Sequence, residues 1–221
     1  MLTVGFDLDM TLIDPRPGMV RAFEVLGART GIPLDGESFA NNLGPPLQDE
    51  FRRYVTDEDQ VTYLVTEFRA LYPEIVIPRT VALPGAVESV AAVRELGGRV
   101  VVVTGKYAPN AALHLSALGI EVDDLVGELW SVAKAEALRE FGAQVYVGDH
   151  IGDVVGARAA DAVAVTVPSG ACDAAQLAEA GADAVLVDLT EFPAWLREWE
   201  TNRHGLDLHY ERRSLDRQNA P

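Results

Sequence analysis

The sequence predicts an α/β protein built on a doubly wound parallel sheet, with a helical subdomain inserted after the first strand. Three observations predict it. Short apolar, β-branched runs recur along the chain, separated by stretches of helical length. Several of the runs end on Asp, Thr or Gly, as strand ends facing a ligand crevice do. Between about Arg16 and Arg79 the alternation stops and only helical patterns remain.

Taken in order, Thr3–Leu8 reads TVGFDL, a short buried strand that ends in carboxylates. Within the insertion, helical patterns run over Met19–Thr30, Leu47–Tyr54 and Asp57–Tyr72, broken by Gly44-Pro45-Pro46. Pro15/Pro17 and Pro78/Pro84 mark its two hinges. The next helix, Pro84–Leu96, opens with Pro-Gly and stops at Gly97-Gly98. Arg99–Thr104, RVVVVT, is a strand covered on both faces, and Pro109–Leu118 is a helix with Pro at its start. Ser131–Phe141 is a helix with Ser131 as its N-cap. Gln144–Asp149, Ala162–Val167 and Ala184–Asp188 complete a set of five strands. The expected division is a core of residues 1–15 and 80–200, an inserted helical subdomain of 16–79, and a polar, loosely held tail of 201–221.

Composition narrows the function. The chain has 221 residues and a formal charge of −16, from 18 basic and 34 acidic groups. A field of that sign repels nucleic acid and anionic lipid, so neither is an expected partner. A single cysteine, Cys172, excludes an internal disulfide and fits a reducing compartment. With no apolar stretch of membrane-spanning length and no secretory leader pattern, a cytoplasmic location is expected. Only two lysines, Lys106 and Lys134, stand against sixteen arginines. Where lysine persists in such a chain, its compact charge on a flexible stem is a candidate requirement.

Four constellations carry chemistry. Asp7 and Asp9 sit two apart where the first strand turns, with Thr11 two residues on. Thr104-Gly105 ends the second long strand and offers a hydroxyl and an open amide. Lys134 lies on a helix, and Gly148-Asp149-His150-Ile151-Gly152-Asp153 puts two carboxylates four apart in a glycine-rich turn, a geometry that suits a hard cation. Each has a plainer reading: a solvated acidic turn, a turn-forming Thr-Gly pair, a surface lysine, and a helix start with Asp149 as N-cap. Cys172, His114, Trp130, Trp195 and Trp199 read as packing residues, and Arg16, Arg52 and Arg53 as solvated surface.

In this order, the four motifs resemble the signature of the haloacid dehalogenase superfamily, and the helical insertion resembles its helical cap. The similarity covers roughly residues 1–195 and leans toward phosphoglycolate phosphatase-like members. The resemblance implies a Mg²⁺-dependent phosphatase acting on a small phosphorylated metabolite. Asp7 is then the nucleophile and Asp9 the acid–base. Thr104, Gly105 and Lys134 hold the phosphoryl oxygens, and Thr11 orders the loop. Asp7, Asp9 (through its carbonyl), Asp149 and Asp153 (through water) form the metal site. His150 stands where such proteins often carry serine. A hexose-phosphate mutase of the same superfamily and a catalytically silent phosphate-binding protein are the alternatives, and oligomeric state is left open.

Overall fold

A computed structural model describes residues 1–203. Eight strands and ten helices appear among them. Strand β1 (Thr3–Phe6) leads through a tight turn to β2 (Ile13–Asp14), then to the helices α1 (Arg16–Thr30), α2 (Gly36–Ala40), α3 (Leu47–Phe51) and α4 (Glu58–Ile75). The chain returns through β3 (Val81–Ala82) and α5 (Ala86–Glu95) to β4 (Arg99–Val103), α6 (Ala108–Leu118) and β5 (Asp124–Val126). The remainder alternates as α7 (Lys134–Glu140), β6 (Val145–Gly148), α8 (Ile151–Ala159), β7 (Val163–Thr166), α9 (Ala174–Glu179) and β8 (Ala184–Val185), and closes with a helix α10 over 192–203.

Six strands form one parallel sheet in the order β5-β4-β1-β6-β7-β8. The chain moves outward from β1 through β4 and β5, then crosses to β6 on the other side of β1. That reversal opens a crevice at the carboxyl ends of β4, β1 and β6. Alternate side chains supply two cores. Val4, Phe6, Val100, Val102 and Val147 pack toward α5, α6 and α10. Val101, Val103, Tyr146 and Ala164 pack with Leu138, Val154 and Leu177 on the opposite face. Coverage of both faces explains why β4 is an unbroken valine run.

The segment α1–α4 contains no strand and has its own core. Phe23 stacks on Phe39 and Phe51 with centroids at 4.3 and 5.5 Å, and Phe68 meets Phe23 edge-on at 5.5 Å. Each such ring, once fully buried, contributes about 1.5–3 kcal/mol. The antiparallel pair β2–β3 forms the two-stranded stem through which the chain enters and leaves.

Several expectations need correction. The sheet has six strands rather than five, because β5 is a three-residue edge strand whose only apolar run is Leu125-Val126. Helix α1 begins at Arg16, with Pro17 in the first turn where its missing N–H costs nothing. Helix α4 runs past Pro73 to Ile75 rather than stopping at Tyr72. Ser131 does not cap a helix: its φ is 52°, it begins a short 3-10 turn, and the α-helix starts at Lys134. Of the expected tail, residues 201–203 continue α10, and the remainder lies outside the described residues. No helix among the described residues is long and apolar enough to cross a membrane.

Candidate active site

Adjacent strands β4, β1 and β6 deliver Thr104, Asp7 and Asp149 to one crevice. The Asp7 amide donates to the Val147 carbonyl at 2.8 Å, extending sheet pairing one residue beyond β1 and fixing where its side chain emerges. The chain then turns tightly. The Leu8 carbonyl accepts from the amides of Thr11, Leu12 and Ile13, and Met10 adopts φ 59°, left-handed and uncommon for a residue with a side chain. Met10 is held there by packing into the core of the helical insertion. At the apex, the Thr11 hydroxyl donates to Asp149 Oδ1 at 3.1 Å, so the predicted loop-ordering residue also fixes a carboxylate from another strand.

Beneath Asp7 lies Lys134, fully buried. Its ammonium donates to Asp7 Oδ1 at 3.0 Å, Asp153 Oδ1 at 2.6 Å and the Tyr146 hydroxyl at 2.9 Å. An ammonium has three protons, and these three acceptors use them all. Sequence reading gives Lys134 to the phosphoryl oxygens, whereas here its protons go to protein acceptors. Gly5 makes this arrangement possible: a Cβ there would come within 2.8 Å of the Tyr146 ring. Tyr146 in turn donates to the Val103 carbonyl at 2.6 Å, which ties the lysine to β4.

Asp153 has a second task. Its Oδ2 accepts from the amides of Asp149 and His150, both at 3.1 Å. His150, not Asp149, is the N-cap of α8, its Nδ1 accepting from the Gly152 amide at 2.9 Å. The ring nitrogen therefore does the work of the small hydroxyl expected at that position, and the proton of the neutral ring sits on Nε2. Asp149 is held close on its outer side, where a Cβ on Gly170 would fall 1.8 Å from Asp149 Oδ2.

Carboxylate oxygens of Asp7, Asp149 and Asp153 lie within 4.8 Å of one another, all buried. Three carboxylates face one ammonium, an excess of two negative charges when all are ionised. The electrostatics register that excess. Burial, only partly offset by Lys134 and reinforced by Asp153, pushes Asp7 up to about 6. Burial together with Asp153 and Asp7 holds Asp149 well above the usual carboxylate range. Burial alone would lower Lys134, but Asp153 and Asp7 outweigh it and keep the ammonium charged. Converging hard oxygen donors with uncompensated charge fit a small divalent cation such as Mg²⁺.

Asp9 points into the same space. Its Oδ2 accepts from Lys106 at 2.6 Å, and its Oδ1 is buried with no hydrogen-bond partner among the described residues. Lys106, marked in the sequence by the scarcity of lysine, receives no site role there because the Thr-Gly-Lys triplet reads first as a turn. Thr104 and Gly105 line the crevice with Asp7, Asp9 and Asp149, and together they floor a cavity of about 310 Å³ roofed by the helical insertion. Trp130, read as packing, is part of its wall, 4.9 Å from the His150 ring. His114 does pack, donating or accepting a 2.8 Å hydrogen bond with Tyr72 of α4. Arg16, Arg52 and Arg53 are paired with carboxylates outside this cavity.

Known proteins resemble the chain along most of its length. The probable phosphatase IndB of Dickeya dadantii is 30% identical over 204 residues, 84% of this chain and 88% of the relative. A phosphoglycolate phosphatase of Caulobacter vibrioides is 28% identical over 211 residues, covering 86% and 89%. Among solved structures, a haloacid dehalogenase-like hydrolase from Streptococcus pneumoniae superposes with a TM-score of 0.76 at 22% identity, over 89% of this chain and 98% of that one. A predicted phosphatase from Clostridium acetobutylicum gives 0.76 at 23%, covering 89% and 98%. Residues 4–158, which hold every one of these acids and both lysines, match the haloacid dehalogenase-like hydrolases, and the chain belongs to that family.

Proposed function

We propose that the chain is a Mg²⁺-dependent phosphatase that hydrolyses a small phosphomonoester through a phosphorylated Asp7. The observation that carries this reading is the convergence over Lys134 of Asp7 and Asp149, at the ends of the neighbouring strands β1 and β6, with Asp153 from the first turn of α8. Asp7, Asp149 and Asp153 would hold the ion, with the Asp9 carbonyl contributing, and Asp153 acting through water. When bound, Mg²⁺ supplies the positive charge that lets an anionic nucleophile approach a phosphate.

The protein's own groups then divide the work. Lys134 locks Asp7 Oδ1, which leaves Oδ2, free of hydrogen bonds among the described residues, to attack phosphorus. The ester oxygen departs with a proton from Asp9. Asp9 then takes a proton from the water that attacks the same phosphorus, releasing inorganic phosphate and restoring the Asp7 carboxylate. Lys106 holds Asp9 by Oδ2 and leaves Oδ1 for that proton. The Thr104 hydroxyl and Gly105 amide donate to the phosphoryl oxygens as charge spreads over them. The insertion of residues 16–79 acts as a lid that excludes water. Relatives named phosphoglycolate phosphatase make phosphoglycolate the first natural ester to assay.

The test is turnover of p-nitrophenyl phosphate with Mg²⁺ and with chelator, in wild type and Asp7→Asn. Activity that needs both the ion and Asp7 is expected. Activity retained in either the chelated sample or the folded variant would end the proposal.

A further inference from the structure

The floor of the cavity fixes the phosphate, but its walls meet the alcohol that leaves. Those walls are aromatic and apolar, with Phe68, Tyr72, Tyr107 and Trp130 around the space and Leu43 and Leu47 above it. At about 310 Å³ the cavity lies at the lower end of the range of roughly 300–1,000 Å³ that holds drug-sized ligands. A two-carbon acid would leave most of it to water.

Its cations are already engaged. Lys106 is bound to Asp9 at 2.6 Å. Arg69 donates to Glu128 at 2.8 Å, and its guanidinium carbon stands 3.8 Å from the centre of the Tyr107 ring. Arg69 Nε is buried with no partner among the described residues. A carboxylate on the leaving alcohol would thus meet Glu128 and Asp9 beside cations that are already paired with them, a desolvation with reduced compensation.

What the walls do offer is neutral polarity. Asn110 is 6% exposed and borders the cavity, and neither its side-chain amide nor that of the less buried Gln48 makes a hydrogen bond among the described residues. The Asn110 amide is not sealed inside the protein but opens onto the cavity, where a ligand can supply its partner.

Resting on the phosphatase reading, we propose that the substrate is the phosphate monoester of an uncharged, ring-bearing alcohol. The ring lies among Tyr107, Trp130 and Phe68, and its polar edge meets the Asn110 amide. Phosphoglycolate and other carboxylated esters are poor substrates because Glu128 and Asp9 already engage the two cations near the leaving group, Arg69 and Lys106.

Four esters of unactivated primary alcohols test this: benzyl, 4-carbamoylbenzyl and 4-carboxybenzyl phosphate, and phosphoglycolate. The carbamoyl and carboxyl compounds share a shape and differ in charge. The expected kcat/KM for benzyl and 4-carbamoylbenzyl phosphate exceeds that for both carboxylated esters by at least about tenfold. Asn110→Leu should lower the 4-carbamoylbenzyl value relative to benzyl. Glu128→Gln, which unmasks Arg69, should narrow the gap between the carbamoyl and carboxyl compounds. Phosphoglycolate equal to or better than benzyl phosphate overturns the inference while p-nitrophenyl phosphate turnover keeps the phosphatase reading intact. A gap unmoved by Glu128→Gln overturns the masking role. Failure to hydrolyse any ester, p-nitrophenyl phosphate included, removes the phosphatase reading and this inference with it.

Discussion

Replacing Lys134 with Met keeps the length of the side chain and deletes its charge. In the native protein that ammonium makes three hydrogen bonds, to Asp7, Asp153 and Tyr146, with no exposure to solvent. Removing one partner of a buried ion pair leaves charge without compensation and costs about 3–5 kcal/mol. The loss must depend on pH. Without Lys134, which lowers it in the native protein, the folded-state value of Asp7 rises further, and an acid raised above its unfolded value destabilises the fold only where it is ionised in the unfolded chain. The penalty is therefore full at pH 8 and shrinks as pH falls through about 6 toward 3.8, where protonation removes the charge in both states. Urea unfolding in chelator, wild type against Lys134→Met at pH 8 and pH 5, reads this as a shift in midpoint at constant slope. A loss below about 1 kcal/mol at pH 8, or one equal at both pH values, would refute the claim that this lysine holds the acidic cluster together.

Two further outcomes follow from the same geometry. Burial, with Lys106 as a lesser cause, pushes His114 down to about 2, so the fold keeps it neutral while the unfolded chain takes up a proton below about 6.5. Its contribution is present above pH 6.5 and declines as pH falls, by up to about 1.4 kcal/mol per pH unit, opposite in sign to Asp7. The difference between wild type and His114→Gln across pH 7 to 5 isolates it, and a pH-independent difference would contradict the assignment. Gly170→Ala would drive a Cβ to 1.8 Å from Asp149 Oδ2, so Mg²⁺ affinity by calorimetry should fall about 10–100-fold. Unchanged affinity would mean that Asp149 is not a ligand where it stands.

What could be read from the sequence was whatever local chemistry determines. A run such as Arg99–Val103 has no alternative to a strand covered on both faces, and its end at Thr104 follows. Asp7, Asp9, Asp149 and Asp153 were visible because strand ends and a glycine-rich turn fix where they point. Strand β5 was hidden because it is three residues long and opens on an acid: Asp124 pairs with Arg99 of β4, and the preceding Asp123 accepts from the Val100 amide of the same strand at 2.7 Å. The cap of α8 was misplaced by one residue because an imidazole rarely does a hydroxyl's work. Lys106, Trp130 and Asn110 acquire meaning only when the helical insertion folds over the sheet. Pairings between residues nearly a hundred positions apart, such as Lys106 with Asp9, leave no periodic trace.

The most direct test of the central claim is to look for phosphate on Asp7. An Asp9→Asn variant loses the group that activates water, so with a good leaving group the second step slows and the adduct accumulates. Rapid quench after mixing with p-nitrophenyl phosphate and Mg²⁺, followed by mass spectrometry of the peptide containing Asp7, is the measurement. The expected result is a burst of p-nitrophenolate matched by phosphate on that peptide, absent when Asp7→Asn is added or Mg²⁺ is chelated. A burst without the adduct, or an adduct on any other residue, would contradict the account.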